Sequence, residues 1–264
     1  MVARIGDYVA DLRVLAEIGL FDDCGAARED FRADSLNALI AHGPEVTSQV
    51  RRRLQQALDA APTYFRLQER SEIFLLPQTQ ATLVLPLRIG DYARVGAEGY
   101  SFARSASLSL SASEVRGAEV QPRVAFVIGR GVFGVVPVLG FRESGTRTYP
   151  QPLYSVLSPW VTPLEALDDA QTMETLQHVP YRRGAYEMHS AVVSVLDPQR
   201  ALSFFREDGV SLMAGDVVVP EADARFHDGL DAGDAVRYEV GVKASAGDFT
   251  LGAVEATIVG GVED

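Results

Sequence analysis

Helical spacing of apolar residues is confined to a few stretches of this chain, and most of the rest follows the patterns of β-strands. The clearest helix covers residues 44–61, where Val46, Val50, Leu54 and Ala57-Leu58 recur at helical intervals between Arg51, Arg52, Arg53, Gln55 and Gln56. Glu45 suits the positive end of its dipole, and Pro62 stops it. A shorter helix is predicted from Ser35 to Ala41, capped at Asp34-Ser35 with Gly43 just beyond its end. Another opens at Asp197-Pro198 and runs to about Arg206, with Ala201, Leu202, Phe204 and Phe205 as its apolar residues. Elsewhere Leu108 and Leu110 alternate with serines, and Val236, Tyr238 and Val240 alternate with Arg237 and Glu239. Thr250 to Val259 has the same alternating character, punctuated by Gly252, while Val124 to Ile128 and Val217 to Val219 are short apolar runs of the kind buried in sheet cores. Three Ala-Gly-Asp pieces, at 214–216, 232–234 and 246–248, are unequally spaced and read as turns before strands rather than as a repeat. The expected fold class is therefore α+β and mainly β. The Pro- and Gln-bearing stretch from Gln78 to Thr82 marks the expected boundary between a small unit, 1–80, and a β-rich remainder, 81–264.

At 264 residues and 47% hydrophobic, the chain has ample material for a real core. Its net charge of -12 repels a phosphate backbone, which argues against a nucleic-acid partner. Cys24 is alone, so no disulfide framework exists within the chain and a reducing compartment is the default. Asp7 and Asp11 interrupt the apolar stretch that a signal peptide would need, and no run of about 18 apolar residues could span a membrane. These features predict a soluble, cytoplasmic protein without a membrane partner.

Local signals for chemistry are sparse. No two of His42, His178, His189 and His227 share the helical spacing of a metal site. His42 follows a helix and suits the negative end of its dipole, and His178 reads as an exposed loop residue after Gln177. His227 sits in a turn region beside Asp228. His189, ahead of a strand-like run, is the best general-base candidate. Gly129-Arg130-Gly131-Val132-Phe133-Gly134 carries a dinucleotide-type glycine spacing, but Val135, Val136, Val138 and Leu139 continue it as strand where that motif needs a helix. It reads as a turn between strands. Gly-x-Ser-x-Gly, P-loop and His-Glu-x-x-His motifs are absent.

Longer segments carry a resemblance. IGDYVADLRVLAEIGLFDD at 5–23 and DSLNALIAHGPEVTSQVRRRLQQAL at 34–58 resemble the N-terminal domain of the fumarylacetoacetase family. IGDYARV at 89–95 looks like that family's Gly-Asp-Tyr-x-Asp-Phe motif, and GYSFARSASLSLSASEVRG at 99–117 its Gly-Tyr-His-Gly-Arg-Ala-Ser-Ser segment. RVAFVIG (123–129), VFGVV (132–136), SPWVTPLEAL (158–167) and LMAGDVV (212–218) follow in the family's order. The resemblance implies a small SH3-like unit followed by a β-roll, usually dimeric. It would also imply a divalent-metal enzyme that cleaves a carbon–carbon bond in a 1,3-diketone.

Carried over residue by residue, the implied metal carboxylates fall on Arg94, Gln121, Arg123 and Gly140. The implied catalytic histidine belongs to a segment between Val95 and Gly99 that is shortened here. Hard divalent cations need several oxygen ligands, and two of these replacements are cationic, so no metal or other cofactor is expected. Arg94 and Arg123 would instead supply fixed positive charge for a carboxylate, enolate or phenolate. Tyr100, His189, Glu143 and Glu221 are the candidate proton donors and acceptors, and Arg104, Tyr149, Tyr154 and Gln121 the further substrate contacts. The expected partner is a small oxygenated, diketone- or polyketide-like molecule, handled by a metal-independent enzyme that is a homodimer. The competing expectation is a non-catalytic binder in which the arginines only form salt bridges.

Overall fold

The computed structural model describes residues 1–60, 75–83, 86–87, 92–95, 99–104, 107–113, 118–143, 152–167, 170–180, 186–193, 211–219, 230–244 and 247–260. Strands dominate, in one small sheet and two larger ones. The small sheet is antiparallel, in the order β1 (Val2–Ile5), β2 (Tyr8–Asp11), β3 (Leu75–Pro77). Asp11 ends β2 and caps α1 (Leu12–Glu17), its carboxylate accepting from the Arg13 N–H at 2.9 Å. The chain continues through α2 (Arg28–Arg32) and α3 (Asn37–Ala41) into α4 (Pro44–Ala60). Gly43, at φ +98°, makes the turn between the last two. In α4 the predicted spacing buries Val50 and Leu54 and leaves the three arginines exposed. They pack with Leu15, Phe21, Phe31 and Leu39, the two phenylalanine rings stacking at 4.9 Å. Cys24 is buried in the same cluster.

The seven-stranded sheet runs β10 (Thr162–Pro163), β8 (Val132–Glu143), β7 (Ala118–Ile128), β13 (Val217–Val219), β4 (Tyr92–Val95), β5 (Gly99–Arg104), β9 (Pro152–Leu157). Because β9 also pairs with β8, from Val138↔Leu157 to Arg142↔Pro152, six of these strands close into a barrel. Strand alternation sorts the side chains. Ala125, Val127, Val136, Val138, Leu157, Val217 and Val219 form the barrel interior. Val124, Phe126, Val135, Leu139, Phe141, Val156 and Val218 face outward onto the second sheet. That sheet has the order β12 (Tyr186–Val193), β11 (Ala170–Pro180), β14 (Ala235–Ala244), β15 (Phe249–Val259), β6 (Ser107–Ser111). It covers the barrel with Val236, Tyr238, Val240, Val242, Leu251, Val254, Ala256 and Ile258.

The N-terminal helices close one end of the barrel. Ile40 of α3 is fully buried among Val127, Phe133, Val217 and Val219. Its carbonyl accepts from Arg130 N at 3.3 Å, and Asn37 Nδ2 donates to Ala214 O at 3.1 Å. From α4, Ser48 Oγ donates to Glu165 Oε2, and Arg51 Nη1 lies 3.7 Å from Glu165 Oε1. Glu165 sits in a single 3-10 turn, Leu164–Ala166, directly after β10. Substituting Glu165→Ala should cost about 1–2 kcal/mol in urea denaturation, because a charge-assisted hydrogen bond is lost along with a half-exposed ion pair. A change under about 0.3 kcal/mol would mean that the contact does not hold the helix to the barrel.

Several sequence expectations meet the structure here. The glycine-rich piece at 129–134 turns from β7 into β8, and Gly215, Gly233 and Gly247 of the Ala-Gly-Asp pieces all have positive φ. Asp216 and Asp234 stabilise the first two of those turns by accepting from Met213 N and Asp231 N. His178 is not a loop residue. It lies within β11, paired with Met188 and Arg237 in a ladder that carries the strand to Pro180. His42 is half-exposed and bonded to Asp30, Nε2 to Oδ2, at 2.8 Å. The helix expected from Asp197 and the turn region of His227 lie outside the described residues. Among the described residues no helix is long and apolar enough to cross a membrane.

Tyr238 gives the fold a pH dependence. It is almost fully buried between barrel and sheet, and that burial pushes its phenol well above the usual value. The unfolded chain therefore loses this proton at lower pH than the folded one. The stabilisation is complete below the ordinary phenol range, about pH 10, and declines as pH rises through it. Tyr238→Phe should flatten stability between about pH 9 and 11 relative to the parent in denaturant titrations. An unchanged slope would assign the alkaline loss to other groups.

Candidate functional site

Two of the predicted site residues meet inside the barrel. Gln121 and Arg123 are inward-facing positions of β7, two residues apart, at the end of the barrel away from Ile40. Gln121 is 0% exposed and Arg123 6%. The guanidinium donates from Nη2 to Gln121 Oε1. Gln121 pairs across the ladder with Gly140, and Gly140 pairs on its other side with Ser155 of β9, which is 2% exposed. The next inward row is Arg123, Val138 and Leu157, and below it the described inward side chains, Ala125, Val127, Val136, Val217 and Val219, are apolar. A polar layer thus rests on a hydrophobic floor closed by Ile40. A Cβ added at Gly140 would lie 3.7 Å from Arg123 Nη2, so the guanidinium occupies the space beside this bare backbone. Gln121, Arg123 and Ser155 each make further interactions within the protein.

The remaining candidates on described strands are placed by their backbone register. Arg94 is in register with Tyr100 on one side and Val218 on the other, and Val218 belongs to the outward-facing cluster. Tyr154 is in register with Phe141, Arg104 with Val156, and Glu143 lies two residues beyond Phe141. Arg94 thus joins the register row of Val218 and Phe126, and Phe126 stands three positions along β7 from Arg123. His189 lies in β12, at the edge of the second sheet, in a row with Gln177 and Tyr238, and the ladder does not bring it to the barrel interior. Tyr149 and Glu221 lie outside the described residues.

Ser155 is the residue that sequence reasoning missed. Tyr154-Ser155-Val156-Leu157 carries no motif, and only the closure of β9 onto β8 puts this hydroxyl beside Gly140. Asp, Glu and carbonyl oxygens are what a calcium or magnesium ion needs. Among the described residues the interior layer offers one amide oxygen already bonded to a guanidinium, a hydroxyl and a glycine. These residues do not fit a divalent cation, because Arg123 would repel it at short range in a medium of low dielectric. They fit an anion or a developing negative charge, which a fixed buried guanidinium stabilises without reorganising.

Comparison with known proteins agrees with the resemblance read from the sequence. Residues 1–86 match the family described as Fumarylacetoacetase N-terminal. A fumarylacetoacetase of Dictyostelium discoideum is 36% identical over 89 residues, 33% of this chain and 21% of that protein, so the match spans about a fifth of that protein's length. The crystal structure of maleylpyruvate hydrolase from Sphingobium sp. SYK-6 aligns over 98% of this chain and 96% of that one, with a TM-score of 0.59 and 19% identity. The structure of Cg1458 aligns over 71% of this chain and 82% of that one, with a TM-score of 0.53 and 12% identity. At these identities the two structures speak for a shared fold.

Proposed function

We propose that this protein, whose N-terminal third belongs to the fumarylacetoacetase N-terminal family, is a divergent, metal-independent enzyme acting on a small oxygenated compound, diketone- or keto-acid-like, at the polar end of its barrel. The observation that carries this is Arg123: a guanidinium buried in the barrel, bonded to Gln121 and set against Gly140. A buried cation costs several kcal/mol of desolvation, a cost that a binding or catalytic use explains. Arg123 would stabilise an enolate or carboxylate, and enolisation followed by isomerisation, cyclisation or carbon–carbon cleavage is the chemistry this favours. The two units, 1–80 read as SH3-like and 81–264 as a β-roll, would assemble as a cytoplasmic homodimer, checked by light scattering on the purified protein.

A non-catalytic binder is the second reading. The near-complete burial of Gln121 and Arg123 favours it, since two of the chain's own side chains fill much of the layer. Deuterium exchange separates the readings. With 2,4-dioxopentanoate in D2O and EDTA, the enzyme reading expects exchange at the carbon between the two carbonyls well above the buffer rate. Arg123→Met should lower that rate about 100-fold or more. Binding without exchange would establish the binder, and exchange that EDTA abolishes and magnesium restores would overturn metal independence.

A further inference from the structure

Three consecutive arginines in α4 meet three different surroundings. Arg51 lies 3.7 Å from Glu165 Oε1, on the side of the helix docked against the barrel. Arg53 is held by Asp23, its Nε donating to Oδ1 at 3.1 Å and its Nη2 contacting Oδ2. Arg52, between them, has neither a hydrogen bond nor an ion pair among the described residues. In a chain with 36 acidic and 24 basic residues, an arginine without a carboxylate partner is unexpected. Arg13, Arg28, Arg32 and Arg237 each have one.

Arg52 also lines a cleft of about 270 Å³ between α4 and the turn at Asp23-Cys24. The helix contributes Gln49, Arg52, Arg53 and Gln56, spaced i, i+3, i+4 and i+7, so the four share one face. Their hydrogen-bonding capacity is lopsided. Both carboxylate oxygens of Asp23 are engaged by Arg53, and Gln56 Oε1 accepts from Arg53 Nη1 at 3.4 Å. What is left over is the Arg52 guanidinium, the amide of Gln49 and the N–H groups of Gln56, which are donors apart from Gln49 Oε1. Since Asp23 and Arg53 neutralise each other, Arg52 sets the sign of the cleft. We infer that this cleft is an oxyanion site of the N-terminal unit, seating a carboxylate or phosphate group of a small ligand on Arg52 between the amides of Gln49 and Gln56. A guanidinium pairs with two oxygens of either group through parallel N–H bonds, and the amides donate to those that remain. The site is separate from Arg123 and does not rest on the reading of the barrel end.

Calorimetric titration of the full chain with inorganic phosphate, and separately with malonate, tests the inference. The parent is expected to bind at least one of them with a dissociation constant on the order of 1 mM. Arg52→Gln should weaken that binding about tenfold or more, and Gln49→Ala and Gln56→Ala about two- to threefold each. Arg52 has no partner to lose, so thermal unfolding of its variant should match the parent. Arg123→Met should retain the binding, which separates this cleft from the barrel end. Arg130→Gln, which removes another exposed arginine, should retain it as well. Binding of phosphate alone, of malonate alone or of both would each support the site and name the group it prefers. A parent that binds neither, or an Arg52→Gln variant that binds like the parent, would overturn the inference. Equal losses in Arg52→Gln and Arg130→Gln would also overturn it, as unspecific attraction of ions to surface charge.

Discussion

Gly134→Ala is expected to destabilise the protein by about 3–4 kcal/mol, more than any other single methyl addition among the described glycines. The added Cβ would lie 2.3 Å from Thr162 O, 2.9 Å from Thr162 C and 3.1 Å from Pro163 Cα. All three neighbours are backbone, so no rotamer change relieves them. Gly215 has a nominally closer clash, 1.9 Å from Asn37 Nδ2, but that atom ends a side chain that can swing away. The cost there reduces to strain at φ +95° and one lost hydrogen bond, about 1–2 kcal/mol. For Gly134 the remedy is displacement of β10, which pairs Pro163 with Gly134 and Thr162 with Val135. β10 leads directly into the turn that places Glu165 beneath Ser48 and Arg51, so its displacement also loosens α4. Urea denaturation should show a lower midpoint with an unchanged slope. A loss below 1 kcal/mol would mean that β10 is not seated on β8 as described.

The elements that the sequence made legible are those written locally. In α4 the spacing of Val46, Val50 and Leu54 is enough, because a long amphipathic helix encodes its own buried face. The strands around Leu110, Tyr238 and Ile258 were legible for the same reason at period two, and that around Phe126 as a short apolar run. Helices α1 and α2 were not, since five or six residues span too few turns to show a stripe. Nor was His178, whose strand depends on partners on both sides rather than on its own neighbours. Barrel closure is a non-local event. The parallel pairings β4–β13 and β5–β9 join segments far apart in sequence with no local signature. The candidate site suffers most from this. Resemblance assigned Arg94 and Arg123 to neighbouring roles, but which face each occupies is set by register, and one residue of offset reverses it.

Arg123 and Gln121 should respond in opposite ways to removal, with the largest functional effect at the arginine. Arg123→Met deletes a buried charge and replaces its stem with apolar volume of similar length. Replacing buried ionic groups by well-packed apolar ones is often neutral or stabilising, by about 1–4 kcal/mol. Stability is therefore expected to hold or rise, while exchange or turnover falls about 100- to 1000-fold because the fixed positive charge is gone. Gln121→Leu does the reverse. It keeps the guanidinium buried and removes an acceptor from it, and a charged donor deprived of a partner costs about 2–3 kcal/mol. The double variant should recover part of that loss, since neither member then strands the other. Chemical denaturation of the three variants beside the parent, with activity measured on the same samples, decides the matter. Arg123→Met proving less stable than Gln121→Leu would make the arginine a structural anchor and withdraw it from chemistry. A stabilised, inactive Arg123→Met would show that the barrel retains a destabilising cation for what it does to a ligand.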